Sequence, residues 1–280
     1  MITTEPPTEI FDLKPVSLQN DEPHAATMKR TCYIAINGIR TCPGDAEGWT
    51  DRFVTWINTR LPDGVVAEKF EYACSALLRR VHQRQRADEI AKKVGYYRRA
   101  GYRLVLVGHS NGCDLIARVL EACGAEIDAA HLISPAADEE DFADAIREGL
   151  IRRIHIYGSR HDGALRFACA TRPLLGWLGL GYGSLGLRGR EFAALFPEVV
   201  QDHSDDSCGH STWLQRGPRF EALMQSLSQH DLFDPRIPLS TTYHGEEWRP
   251  GEAGRDAAPD SATPCQTQEP QDPSLETNKP

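Results

Sequence analysis

Residues 103–120 read RLVLVGHSNGCDLIARVL. Leu104-Val105-Leu106-Val107 is an unbroken apolar run, as a strand buried on both faces requires. Leu115, Ile116, Val119 and Leu120 then recur at helical spacing. Between the two patterns stands Gly108-His109-Ser110-Asn111-Gly112, the sequence G-x-S-x-G in a strand–turn–helix context. A strand turning that sharply into a helix strains the serine backbone and leaves its Oγ exposed. A side chain at either flank would collide with the adjoining strand and helix, so glycine is expected at both. The free N–H groups at the helix start can face a developing negative charge. The plain alternative is a tight structural turn between strand and helix.

Working outward, strand and helix patterns alternate. Tyr33–Ile36 reads as a buried strand that ends at Asn37-Gly38. Trp49, Phe53, Trp56, Ile57 and Leu61 predict a helix stopped by Pro62-Asp63-Gly64. Val65–Tyr72 predicts a strand and 75–100 a long helix. Strands follow at His131–Ser134 and Ile154–Tyr157, with an acidic helix near Glu139–Leu150 between them. Val199-Val200 offers a further strand, and Trp213–Leu227 a closing helix. Apolar strands separated by helices predict an α/β fold: a mostly parallel central sheet of about six strands, helices on both faces. Ligands of such sheets sit at the carboxyl ends of the strands. The short interval between Ser134 and Arg153 leaves no room for a large cap domain there.

The elbow at Ser110 and the order of elements around it resemble the α/β-hydrolase family over about residues 30–230. The resemblance implies a serine nucleophile, an acid after a later strand and a histidine before the last helix. The nucleophile is then Ser110. The acid falls on Asp162, in Gly158-Ser159-Arg160-His161-Asp162-Gly163; Asp138, Glu139 and Glu140 occupy the position one strand earlier. The base falls on His210, in Cys208-Gly209-His210-Ser211-Thr212, with His203 as its rival. Asp162 would orient His210, and His210 would take the Ser110 proton. The backbone N–H groups of Asn111 and Ile39 would form the oxyanion hole. Where many relatives carry His-Gly after the first strand, this chain carries Asn37-Gly38. Asn37, Gly38 and His109, together with Trp177 and Tyr182 of the Gly-rich stretch 173–187, are the expected lining of the substrate pocket. Packing along the sheet is the other reading of that stretch.

The implied reaction is hydrolysis of a carboxylic ester or related acyl bond through a serine ester, with a small acyl substrate and no cofactor. An acyltransferase or amidase could use the same residues, and a non-catalytic binding or adaptor module could keep the fold. Asp202, His203, Asp205, Asp206, Cys208 and His210 invite a metal reading, but they lack zinc-ligand spacing, so no metal is expected there.

Composition sets the outer limits. The chain has 280 residues, 40% hydrophobic and 25% charged, which fits a globular protein. Its net charge of −9 is concentrated at the ends: −3 over residues 1–29 and −4 over 236–280. Eleven of eighteen prolines lie in those same segments. Both are read as disordered tails around one domain, 30–235. The near-neutral centre does not predict nucleic-acid binding. The arginines and lysines of 75–100 form a basic stripe that a solvated face explains. No apolar run reaches the ~20 residues of a membrane span, and the N-terminus has no signal-peptide pattern. Eight cysteines without a C-x-x-C pair fit reduced thiols, so a cytoplasmic location is expected.

Overall fold

The computed structural model describes residues 30–38, 48–72, 79–124, 126–175 and 183–232. All fall in the first of two units, Met1–Asp234, the second being Pro235–Pro280. The segments read as tails lie outside the described residues.

Six strands form one sheet: β1 (Thr31–Ile36), β2 (Val65–Phe70), β3 (Arg103–His109), β4 (Ala129–Ile133), β5 (Ile154–Tyr157) and β6 (Val200–Asp202). Their order is β2-β1-β3-β4-β5-β6, and every pairing is parallel. The helices are α1 (Trp49–Arg60), α2 (Arg79–Arg99), α3 (Asn111–Cys123), α4 (Glu139–Arg147), α5 (Gly163–Leu175), α6 (Gly189–Leu195) and α7 (Pro218–Leu232).

Strand alternation sorts the core into two layers. Ile34, Ile36, Leu104 and Leu106 face Ile90, Val94, Ile116, Phe142 and Phe192, from α2, α3, α4 and α6. Tyr33, Ala35, Val105 and Val107 face Phe53, Ile57, Phe220, Leu223 and Met224, from α1 and α7. Both faces being covered, every residue of β1 is buried, which is why that strand reads as a continuous apolar run.

Three local readings shift. The closing helix begins at Pro218; Thr212–Leu214 is a separate turn of 3-10 helix. Gly217 at φ 112° separates them, a backbone state that a helix cannot contain. The strand expected at Val199-Val200 runs Val200–Asp202. Helices α5 and α6 had no periodic signal strong enough to announce them. The basic α2 uses part of its charge internally: Lys93 pairs with Glu68, and the Arg86 guanidinium lies 4.5 Å over the Tyr72 ring.

Of the Gly-rich stretch, residues 183–187 are described. They pack on main chain at the carboxyl ends of β4 and β5. Gly186 N–H donates to Pro135 O at 2.9 Å, and Ser159 N–H donates to Gly186 O at 3.0 Å. A Cβ on Gly186 would stand 2.5 Å from Leu165 Cδ1. Among the described residues no large cap covers the sheet, and no described helix is long and apolar enough to cross a membrane.

Candidate active site

Ser110 stands between β3 and α3 at φ 54°, ψ −121°, a conformation that non-glycine residues avoid. Such a conformation costs on the order of 1–3 kcal/mol and persists only where the surroundings impose it. Here they do. Ser110 N–H donates to Ile133 O at 2.9 Å, and Ser110 O accepts from Cys113 N–H at 3.1 Å and Ala136 N–H at 3.2 Å. Both flanking glycines are sterically required. A Cβ on Gly112 would meet Ile36 O at 2.5 Å, and one on Gly108 would meet Cys113 N at 2.9 Å. The turn is held from both sides, and Ser110 remains partly exposed.

Three residues from three loops converge. His210 Nε2 lies 2.9 Å from Ser110 Oγ. His210 Nδ1 lies 2.7 Å from Asp162 Oδ2. A carboxylate only accepts, so Nδ1–H donates to Asp162 and Nε2 is left to accept the Ser110 hydroxyl proton. Asp162 is fully buried. Its second oxygen accepts Leu165 N–H at 3.0 Å in the first turn of α5. Asp162 is thus both the turn residue before Gly163 and the partner of His210. The side chain of His210 is 24% exposed. Its loop is held by Gly209 N–H donating to Thr212 Oγ1 at 2.8 Å and by Cys208 N–H donating to Asp205 O at 2.9 Å.

The rival positions go elsewhere. Asp138 pairs with Arg172 at 2.7 Å, and Glu139 with Arg188 at 3.2 Å. His203 lies against the Tyr157 ring, with centroids 4.9 Å apart, and bonds His155. The acids of 202–206 face arginines: Asp202 and Asp206 lie 3.5 Å from Arg190, and Asp205 lies 3.2 Å from Arg219.

The residues expected to line the pocket sit close by. Gly38 is packed so tightly that a Cβ would stand 3.3 Å from Ser110 Cβ. Asn37 is buried, and its Oδ1 accepts Tyr72 N–H at 3.2 Å, bracing the ends of β1 and β2. Asn111 occupies the first position of α3, where a backbone N–H has no intrahelical acceptor. Its side chain donates to Tyr72 Oη at 2.9 Å. Ile39, Trp177 and Tyr182 lie outside the described residues.

His109 has a contact that the sequence did not signal. It is buried, and its Nε2 lies 3.1 Å from the His210 carbonyl oxygen. Its ring centroid is 5.1 Å from that of His210 and 6.4 Å from that of Trp49. Burial, aided by the neighbouring His210, pulls the His109 pKa down to about 3. The neutral ring must therefore carry its proton on Nε2 to serve a carbonyl acceptor. The bond joins positions 101 residues apart.

No family model matches the sequence, and no curated protein matches it. Among solved structures the chain is similar to a CIB-like hydrolase from Thermoplasma acidophilum: 14% identity, 72% of this chain and 87% of that one covered, TM-score 0.46. It is also similar to esterase PE8, at 11% identity, 72% and 93% coverage and TM-score 0.46. A thermophilic esterase from Thermogutta terrifontis, propionate-bound, is similar at 14% identity, with 72% and 82% coverage and TM-score 0.42. The parallel sheet order and the strand–turn–helix at Ser110 are those expected of an α/β-hydrolase-like fold.

Proposed function

We propose that the chain is a serine hydrolase that cleaves a carboxylic ester or a related acyl bond. The observation that carries this reading is His210, which bridges Ser110 Oγ at 2.9 Å and Asp162 at 2.7 Å beside a strained elbow. A nucleophile, its base and the group that orients the base are already within hydrogen-bond reach of one another.

In the proposed reaction Ser110 Oγ attacks the acyl carbon while His210 Nε2 takes the hydroxyl proton. The carbonyl π electrons move onto oxygen, and the Asn111 N–H stabilises that charge. Asp162 holds the imidazolium without taking its proton. Collapse of the tetrahedral adduct expels the alcohol or thiol, which receives the proton from His210, and leaves an acyl ester on Ser110. Water, deprotonated by His210, then repeats the sequence and releases the acid. His109, through the His210 carbonyl, acts as a positioning residue.

A fluorophosphonate probe tests the activated serine directly. The expected result is one label, mapped to Ser110, absent in both Ser110→Ala and His210→Ala proteins that remain folded. Folded wild-type protein that takes no label, or labels elsewhere, would overturn the reading.

A further inference from the structure

Away from Ser110, on the sheet face covered by α7, four histidines converge. His131 comes from β4, His155 from β5, His203 from the residue after β6, and His230 from the last turn of α7. The register pairs His131 with His155, so parallel pairing sets their rings side by side. Their centroids are 4.5 Å apart at 8°. His155 is 4.7 Å from His230 and 5.4 Å from His203, and His203 is 5.0 Å from His230. The Nε2 of His131 lies 2.9 Å from Asp231 Oδ2, and its Nδ1 3.4 Å from Tyr157 Oη. One ring nitrogen from each of His155, His203 and His230 lies within 4.8 Å of the other two.

The geometry points to a divalent transition-metal site formed by His155, His203 and His230, with zinc as the ion its donors suit. Imidazole nitrogen is a good ligand for zinc and its neighbours and a poor one for magnesium or calcium. Ligands 2.0–2.1 Å from a tetrahedral ion stand about 3.3 Å apart, so modest inward movement from the present spacing closes the shell. His155 Nδ1 and His203 Nε2 are already 3.1 Å apart. His155 is fully buried, so a ligand from β5 would be held with little freedom to move. His131, fixed by Asp231 and Tyr157, is the wall that sets the His155 ring. Bound metal would clasp β5, the segment after β6 and α7, between which the His210 loop is strung.

Zinc alone is the probe. The full chain, stripped with a chelator, is titrated with Zn²⁺ against a chromophoric competitor, with Mg²⁺ as the control. One Zn²⁺ per chain is expected, with a raised Tm, and no uptake of Mg²⁺. His203→Gln and His230→Gln, both at partly exposed positions, should each weaken zinc binding by at least about 100-fold. His203→Cys, which returns a zinc ligand, should restore it, as no purely structural role for the ring would require. Circular dichroism reports on the fold of each variant, and fluorophosphonate labelling of Ser110 reports separately on the hydrolase reading. Absence of stoichiometric zinc uptake by folded protein, or uptake undiminished in both Gln variants, would overturn the site.

Discussion

Two hydroxyl–histidine–carboxylate rows stand among the described residues. In one, Ser110, His210 and Asp162 are linked at 2.9 and 2.7 Å. In the other, Tyr157, His131 and Asp231 are linked at 3.4 and 2.9 Å. The residue types are nearly the same, but their surroundings differ. The first row sits at the carboxyl ends of the strands, with Ser110 partly exposed and a helix N-terminus beside it. The second is sealed beneath α7, with His131 fully buried and Asp231 nearly so. Burial also pushes the Tyr157 phenol well above its ordinary pKa, so it is a poor source of a nucleophile. Chemistry needs access and a place for developing charge. The inner row has neither and can only hold β4, β5 and α7 together.

The largest effects should separate the rows. Ser110→Ala is expected to lower ester turnover by roughly 10⁴- to 10⁶-fold without loss of fold. Tyr157→Phe should leave turnover within about twofold, since it removes only two long hydrogen bonds, to His131 Nδ1 and Ser226 Oγ, both away from Ser110. Steady-state assays with an activated ester compare the two. A Tyr157→Phe protein as inactive as Ser110→Ala would erase the distinction.

The carboxylates divide in the same way. Asp162→Asn should cost about 10⁴ in kcat by unsettling the His210 tautomer. Asp231→Ala should instead lower the unfolding free energy by about 2–3 kcal/mol, leaving the His131 N–H without its charged acceptor. Urea denaturation read beside kcat distinguishes loss of chemistry from loss of stability.

His109 sharpens the comparison, because it is a buried histidine bonded to the exposed row. His109→Leu frees the His210 carbonyl, and kcat should fall on the order of 10- to 100-fold while KM changes little. A proportionate rise in KM would place His109 on the substrate instead. A smaller effect is on stability. His109 takes its proton near pH 3 in the fold, against about 6.5 in the unfolded chain. Between those values the unfolded chain binds more protons, so this contribution is full above about pH 6.5 and declines as the pH falls towards 3. The urea midpoint of wild type should fall more steeply across that window than that of His109→Leu.

Much of the proposed site was legible because its parts are local. Gly108-His109-Ser110-Asn111-Gly112 carries its own steric logic: strand before it, helix after it, and two glycines where backbone atoms stand within 3 Å of any Cβ. Asp162 before Gly163 and His210 before the last helix were implied by the resemblance, through the order of elements along the chain. By contrast, α5 and α6 were missed because short helices packed on loops need no clean apolar stripe. The histidine cluster was missed because its members are 24, 48 and 27 residues apart in sequence, with no motif to join them.

What the sequence determined by itself is what periodicity and local sterics can encode: parallel strands covered on two faces and a strained serine at the end of β3; the places of Asp162 and His210 came from the family resemblance. What only the tertiary structure decided is which distant groups meet. The choice of His210 over His203 follows from the way the chain returns after β6. His203 is drawn to Tyr157 by the β5–β6 pairing, and the loop that follows delivers His210 to Asp162. The same packing turns His109 towards the His210 carbonyl and gathers His155, His203 and His230 beneath α7. Backbone patterns depend on near neighbours and can be read along a line. Side-chain meetings depend on how layers stack, and that is settled only when the whole core closes.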